Sequence, residues 1–127
     1  MICVDSSALL AVVLQEPRGQ ECLEALQSSS GAVISAANLT EAIISSARRG
    51  VDDELLALIR ALGLEIAEVT EVSAMRAAEA YRRWGKSWHP TSLNYGDCFA
   101  YELASRLACP LLFIGEDFSR TDIVSVL

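Results

Sequence analysis

The stretch Met1-Ile-Cys-Val-Asp-Ser-Ser-Ala-Leu-Leu-Ala-Val-Val-Leu14 decides the fold. Its apolar entry stops at Asp5 and reads as a buried strand. Ser6 to Leu14 is apolar on most sides and reads as a buried helix. Working outward, Pro17 opens a second helix toward Gln27, and Ser28 to Gly31 is a turn. Ala32 to Ser35 reads as strand two. The series Leu39, Ala42, Ile43, Ala47 marks a helix from Asn38, closed by Gly50. Leu55, Leu58, Ile59 and Leu62 mark another helix from Asp52, closed by Gly63. Leu64 to Val69 alternates apolar and acidic residues, as a strand with one exposed face does. Helices follow over Val72–Trp84 and Tyr95–Leu107, separated by a Pro-containing loop. A strand runs from Pro110 to Ile114, and Ile123–Val126 is a candidate for a last one. Short strands alternating with helix pairs imply parallel pairing with right-handed crossovers. The expected architecture is a three-layer α/β/α sandwich around a mostly parallel sheet of four to five strands, in a single domain over 1–127. In such sheets ligands bind beyond the carboxyl ends of the strands.

Composition narrows the class. Of the 127 residues 52% are apolar, which excludes disorder and suggests that a partner covers some apolar surface. The longest unbroken apolar run, Ala8 to Leu14, is far short of a membrane span. No Lys or Arg precedes Arg18, so no secretory signal is expected and the chain is assigned to the cytoplasm. Its 4 cysteines form no C-x-x-C pair, and its 1 histidine, His89, makes a His-based zinc site unavailable within one chain. The net charge of −7 argues against non-specific nucleic-acid binding. Yet Arg76, Arg82, Arg83 and Lys86 cluster among Tyr81, Trp84 and Trp88. That segment is either the packed end of a helix or a stacking and cationic surface for single-stranded RNA.

Carboxylates recur at the expected active edge. Asp5 follows strand one. Glu41 lies early in the helix after strand two, Asp97 in the first turn of the Tyr95 helix, and Glu116 and Asp117 just past the strand Leu111–Ile114. Each has a plain structural explanation. Asp5 could cap a helix, and Asn38-Leu-Thr-Glu41 and Asn94-Tyr-Gly-Asp97 both have capping-box spacing. Together they mean more, because two unit charges ~4 Å apart repel by about 4 kcal/mol at an effective dielectric near 20. Four such groups need protons or cations. Oxygen ligands without His or Cys suit Mg²⁺ or Mn²⁺, and that donor set suits hydrolysis of a phosphodiester by metal-activated water. Gly85-Lys-Ser87 looks like the end of a P-loop, but no strand precedes it. His89 reads as a loop histidine.

Four segments carry a family resemblance: Val4-Asp-Ser-Ser-Ala-Leu-Leu10, Ser35-Ala-Ala-Asn-Leu-Thr-Glu-Ala42, Leu93-Asn-Tyr-Gly-Asp-Cys-Phe-Ala-Tyr101, and Leu111-Leu-Phe-Ile-Gly-Glu-Asp-Phe118 with Thr121-Asp-Ile123. In order and spacing they resemble PIN-domain ribonucleases, and among these the VapC toxins of type II toxin–antitoxin systems. The resemblance implies a Mg²⁺-dependent endoribonuclease, with Mn²⁺ able to substitute, inhibited by a VapB-type antitoxin and forming a homodimer or a toxin–antitoxin hetero-oligomer. It carries the acidic site to Asp5, Glu41, Asp97 and Asp117, with Ser7 supporting the first aspartate. Where the family has Gly-Asp-Asp-Phe this chain has Gly115-Glu-Asp-Phe118, so Glu116 competes with Asp117 as the fourth acid and metal ligand. A binding module on the same fold is the alternative function, although such a module would tolerate loss of the acids. Arg82, Arg83, Lys86 and Trp88 are the candidate RNA contacts. Ala11, Val12 and Leu14 with Ile44, Leu55 and Leu56 are candidates for a groove that receives an amphipathic antitoxin segment. A basic antitoxin residue is expected to reach toward Asp5 and Asp97.

Overall fold

A computed structural model of the chain describes residues 1–87 and 89–127. The elements run β1 (Ile2–Val4), α1 (Ser6–Val13), α2 (Gly19–Ser28), β2 (Ala32–Ser35), α3 (Ala36–Arg48), α4 (Asp52–Leu62), β3 (Glu65–Ala67), α5 (Glu71–Trp84), α6 (Tyr95–Leu107) and β4 (Leu111–Leu112). The four strands are parallel, in the order β3-β2-β1-β4. Cys3 pairs with Val33 on one side and Leu111 on the other, so β1 is central.

The period-two alternation of strand side chains sorts them into two cores. Cys3, Val33 and Leu111 face one side and pack with Ala77, Leu93, Phe99 and Leu103 of the α5–α6 side. Ile2, Val4, Ile34 and Leu112 face the other and pack with Leu9, Cys22, Ala42, Leu55 and Ile59 from α1 to α4. Strands buried on both faces are apolar throughout, which is why β1 and β4 show no alternation in sequence. The result is the expected three-layer α/β/α sandwich with four strands.

Several boundaries differ from the sequence reading. Ile123–Val126 contributes a single parallel bridge, Leu111 to Ser125, instead of a fifth strand. β3 and β4 are shorter than Leu64–Val69 and Pro110–Ile114. Helix α2 starts at Gly19, after Pro17, because it crosses α1 closely there: a Cβ on Gly19 would lie 2.3 Å from the Ala11 carbonyl oxygen. Helix α3 begins at Ala36, since β2 passes into it without a loop and the Ser35 hydroxyl caps it by accepting from the Ala37 amide at 3.2 Å. Asn38 is therefore inside the helix, and the capping box expected for Asn38–Glu41 does not form. Of the six residues expected to line an apolar groove on the α1 side, two are unavailable to a partner. Ala11 and Leu55 are fully buried in the core, Val12, Leu14 and Leu56 are half-buried, and Ile44 alone of that set is exposed.

Candidate active site

The chain passes from β1 to β2 to β3 in one direction and then returns to place β4 on the far side of β1. The carboxyl ends of β1 and β4 therefore flank the point where strand order reverses, the usual ligand crevice of such sheets. Asp5 stands there, its amide donating to the Leu112 carbonyl at 2.9 Å. It caps α1 by accepting from the Ser7 amide at 3.1 Å and from the Ser7 hydroxyl at 2.6 Å, both at Oδ2. The Ser7 oxygen in turn accepts from the Ile114 amide at 3.0 Å, so one hydroxyl ties the end of β1 to the segment leaving β4.

Asp97 lies in the first turn of α6 in the expected capping box. Its Oδ2 accepts from the Asn94 amide at 3.0 Å, and Asn94 Oδ1 accepts from the Asp97 amide at 2.9 Å. In both Asp5 and Asp97 the cap uses one carboxylate oxygen, Oδ2. The other oxygen meets no protein donor among the described residues.

Glu41 comes from the second turn of α3, where its Oε1 accepts from Asn38 Nδ2 at 2.8 Å and from the Ser6 hydroxyl at 3.4 Å. Asn38 is fully buried, and its Nδ2 also donates to the Gly96 carbonyl at 2.9 Å, clipping α3 to the start of α6. Its buried Oδ1 finds no donor among the described residues, the cost of aiming both N–H bonds at Glu41 and Gly96. Gly96 itself makes room, because a Cβ there would lie 1.9 Å from Glu41 Oε2. The sequence reading missed Ser6, Asn38 and Gly96 as parts of this site. The i, i+3 spacing of Asn38 and Glu41 is the signal for them, although the same spacing also reads as a helix start.

Burial pushes Asp5 above the usual carboxylate range, and the charges of Glu41 and Asp117 push it further against the hydrogen bonds from Ser7. Asp97 is pushed up to about 7, first by burial and then by Asp5, Asp117 and Glu41, against its bond from Asn94. The four carboxylates thus share one field. Of the two acids after β4, both exposed, it is Asp117 whose charge bears on Asp5 and Asp97.

The donor set is all oxygen, anionic and partly buried, which fits a hard divalent cation. Among the described residues, however, no three acidic, His or Cys side chains stand close enough to hold a metal ion as placed. Each of Asp5, Glu41 and Asp97 is turned onto its own protein donors. The fit is therefore one of chemistry and location, with side chains that must close in.

The basic residues lie at the end of α5. Arg82 pairs with Glu79. Arg83 lies 4.5 Å from the centre of the Trp84 ring and 3.8 Å from Asp122. Lys86 is exposed. Trp84 packs against the core with His89 and Tyr101, as a helix end does. Trp88, the remaining candidate RNA contact, lies outside the described residues.

Comparison with known proteins identifies the family of the chain. The model of the PIN domain matches residues 2–124. A VapC ribonuclease of Mycobacterium bovis is 38% identical over 126 residues, covering 97% of this chain and 96% of its own. Ribonuclease VapC42 of Mycobacterium tuberculosis is 40% identical over 124 residues, covering 94% and 95%. Among solved structures, VapC20 of Mycobacterium tuberculosis, described as a toxin that cleaves the sarcin–ricin loop, superposes with a TM-score of 0.80 at 17% identity, covering 99% of this chain and 98% of that one. VapBC2 of Rickettsia felis, solved with a DNA fragment of its promoter, gives 0.72 at 15% identity, covering 98% and 96%.

Proposed function

The chain belongs to the PIN-domain family and, within it, to the VapC ribonucleases, and on that footing we propose that it is a Mg²⁺-dependent endoribonuclease, the toxin of a pair with a VapB-type antitoxin. The observation that carries the reading is the group of four carboxylates at the strand-order reversal, in which Asp5 and Asp97 are raised by burial and by the charges of the other acids. Such a group is costly to the folded chain and useful to a cation.

Asp5, Asp97 and Asp117 would hold the ion, the first two through the oxygens their caps leave free. A bound Mg²⁺ acidifies a coordinated water and offsets charge developing on the phosphate. Glu41, its Oε1 fixed by Asn38 and Ser6, keeps Oε2 to receive the proton of the attacking water. Ser7 holds the Asp5 carboxylate against the end of β4. A basic antitoxin side chain entering this field competes with the cation by neutralising the same carboxylates.

The test is cleavage of single-stranded RNA by the purified protein. Activity with Mg²⁺ or Mn²⁺ that EDTA abolishes, and that Asp5→Asn removes in a folded variant, is the expected result. EDTA-resistant cleavage, or full activity of Asp5→Asn, contradicts it.

A further inference from the structure

A groove of about 790 Å³ runs between α5 and α6, lined by Tyr81, Tyr95, Phe99 and small α5 side chains, with Arg82, Lys86 and Asn94 among its walls. Resting on the ribonuclease reading, we infer that this groove is a subsite for an unpaired nucleobase of the RNA, one that neighbours the scissile phosphate.

The first argument is continuity. Asn94 and Tyr95 line the groove and open α6, and the Asn94 amide is held by the Asp97 carboxylate. A strand with its phosphate at Asp97 therefore has the groove beside it. The second is the wall. Tyr95 is 77% exposed although it is aromatic, and it stands edge-on to Phe99 with ring centres 5.1 Å apart. An exposed ring braced by a second ring is a stacking platform, which accepts any base because every base has a π-face. The third is charge. In a chain of net charge −7, the exposed Lys86 lines this groove together with Arg82, which also pairs with Glu79. An apolar peptide has no use for them, whereas the phosphates that flank a bound base do. Asn94 adds a directional donor, since its Oδ1 is taken by the Asp97 amide while its Nδ2 has no partner among the described residues. The volume lies in the range of small-molecule sites.

The experiment measures binding of labelled oligoadenylate, and of a matching abasic oligomer, by fluorescence anisotropy in the full chain carrying Asp97→Asn, which holds the probe uncleaved. Tyr95→Ala should weaken oligoadenylate binding about 5- to 100-fold, Tyr95→Phe by no more than about twofold, and neither should affect the abasic oligomer. Lys86→Ala should weaken both oligomers equally and lower the salt slope by about 0.7. Oligoadenylate affinity unchanged by Tyr95→Ala, or an equal loss on the abasic oligomer, overturns the subsite. So does a Tyr95→Ala variant that alters self-association in sedimentation but leaves oligomer affinity intact, because the groove is then a face between copies. The two failures separate cleanly. If the parent chain cleaves RNA in an Asp97-dependent way and Tyr95 is silent, the subsite alone is wrong. If the parent neither binds nor cleaves RNA, the ribonuclease reading is wrong as well.

Discussion

At Asp97, stability and the proposed function pull in opposite directions. Its carboxyl is raised from 3.8 to about 7, so the folded chain holds that proton more tightly than the unfolded chain does. The stability it contributes is complete below about pH 4 and is lost as pH rises through about 7. The metal-free protein should therefore melt at a lower temperature at pH 8 than at pH 5. Asp97→Asn should flatten that profile while keeping an acceptor for the Asn94 amide. Relief of even one of those roughly three pKa units, about 1.4 kcal/mol, raises Tm by about 5 °C at pH 8 in a chain of this size. Differential scanning of both forms in EDTA checks this, and parallel pH profiles contradict it. At the other end of the site, Glu116→Gln should cost much less cleavage than Asp117→Asn, because Asp117 shares the field of Asp5 and Asp97. The reverse ranking in a cleavage assay would move the fourth acid to Glu116.

At the scale of elements, the site depends on how closely α3 approaches the start of α6. Asn38 bridges the two helices, and Gly96 leaves the space that Glu41 occupies. Gly96→Ala favours the helix by about 0.5–1 kcal/mol through propensity, yet its Cβ would meet Glu41 Oε2 at 1.9 Å. The carboxylate is the free end of a flexible side chain, so it should swing aside and leave a folded protein. Cleavage should fall at least about tenfold, a loss of about 1.4 kcal/mol of transition-state stabilisation, with Tm near that of the parent. An active Gly96→Ala variant would show that Glu41 can leave its place without consequence. These cross-element contacts also mark the limit of sequence reading. The Asn94–Asp97 capping box is local and was legible, as were β1, α4 and the helix end at Gly63. Asn38 and Glu41 have the same spacing as Asn94 and Asp97, but Ser35 caps first. Which of the two caps a helix is decided by where β2 ends, a question of sheet register and not of local pattern.

At the scale of the molecule, the order β3-β2-β1-β4 gathers acids distant in sequence at the one edge where strand order reverses. The layer arrangement and that edge were legible from alternating strands and helices. The position of open apolar surface was not, because amphipathic helices show which residues are apolar and not which neighbours cover them. Ala11 and Leu55 went to the core, and an open cavity between α5 and α6 was not read from the sequence. On the proposed reading a cation binds the folded chain and not the unfolded one, so Mg²⁺ at 100 times its Kd should add about 2.7 kcal/mol of stability, visible as a rise in Tm that EDTA reverses. The most direct test is calorimetric titration of Mn²⁺ into the parent and into Asp97→Asn near pH 7, in two buffers of different ionisation enthalpy. Saturable binding by the parent with release of a fraction of a proton, strongly weakened and without that release in the variant, is the expected result. Equal Mn²⁺ binding by both proteins, or none by the parent, would contradict an acidic cluster built to hold a cation.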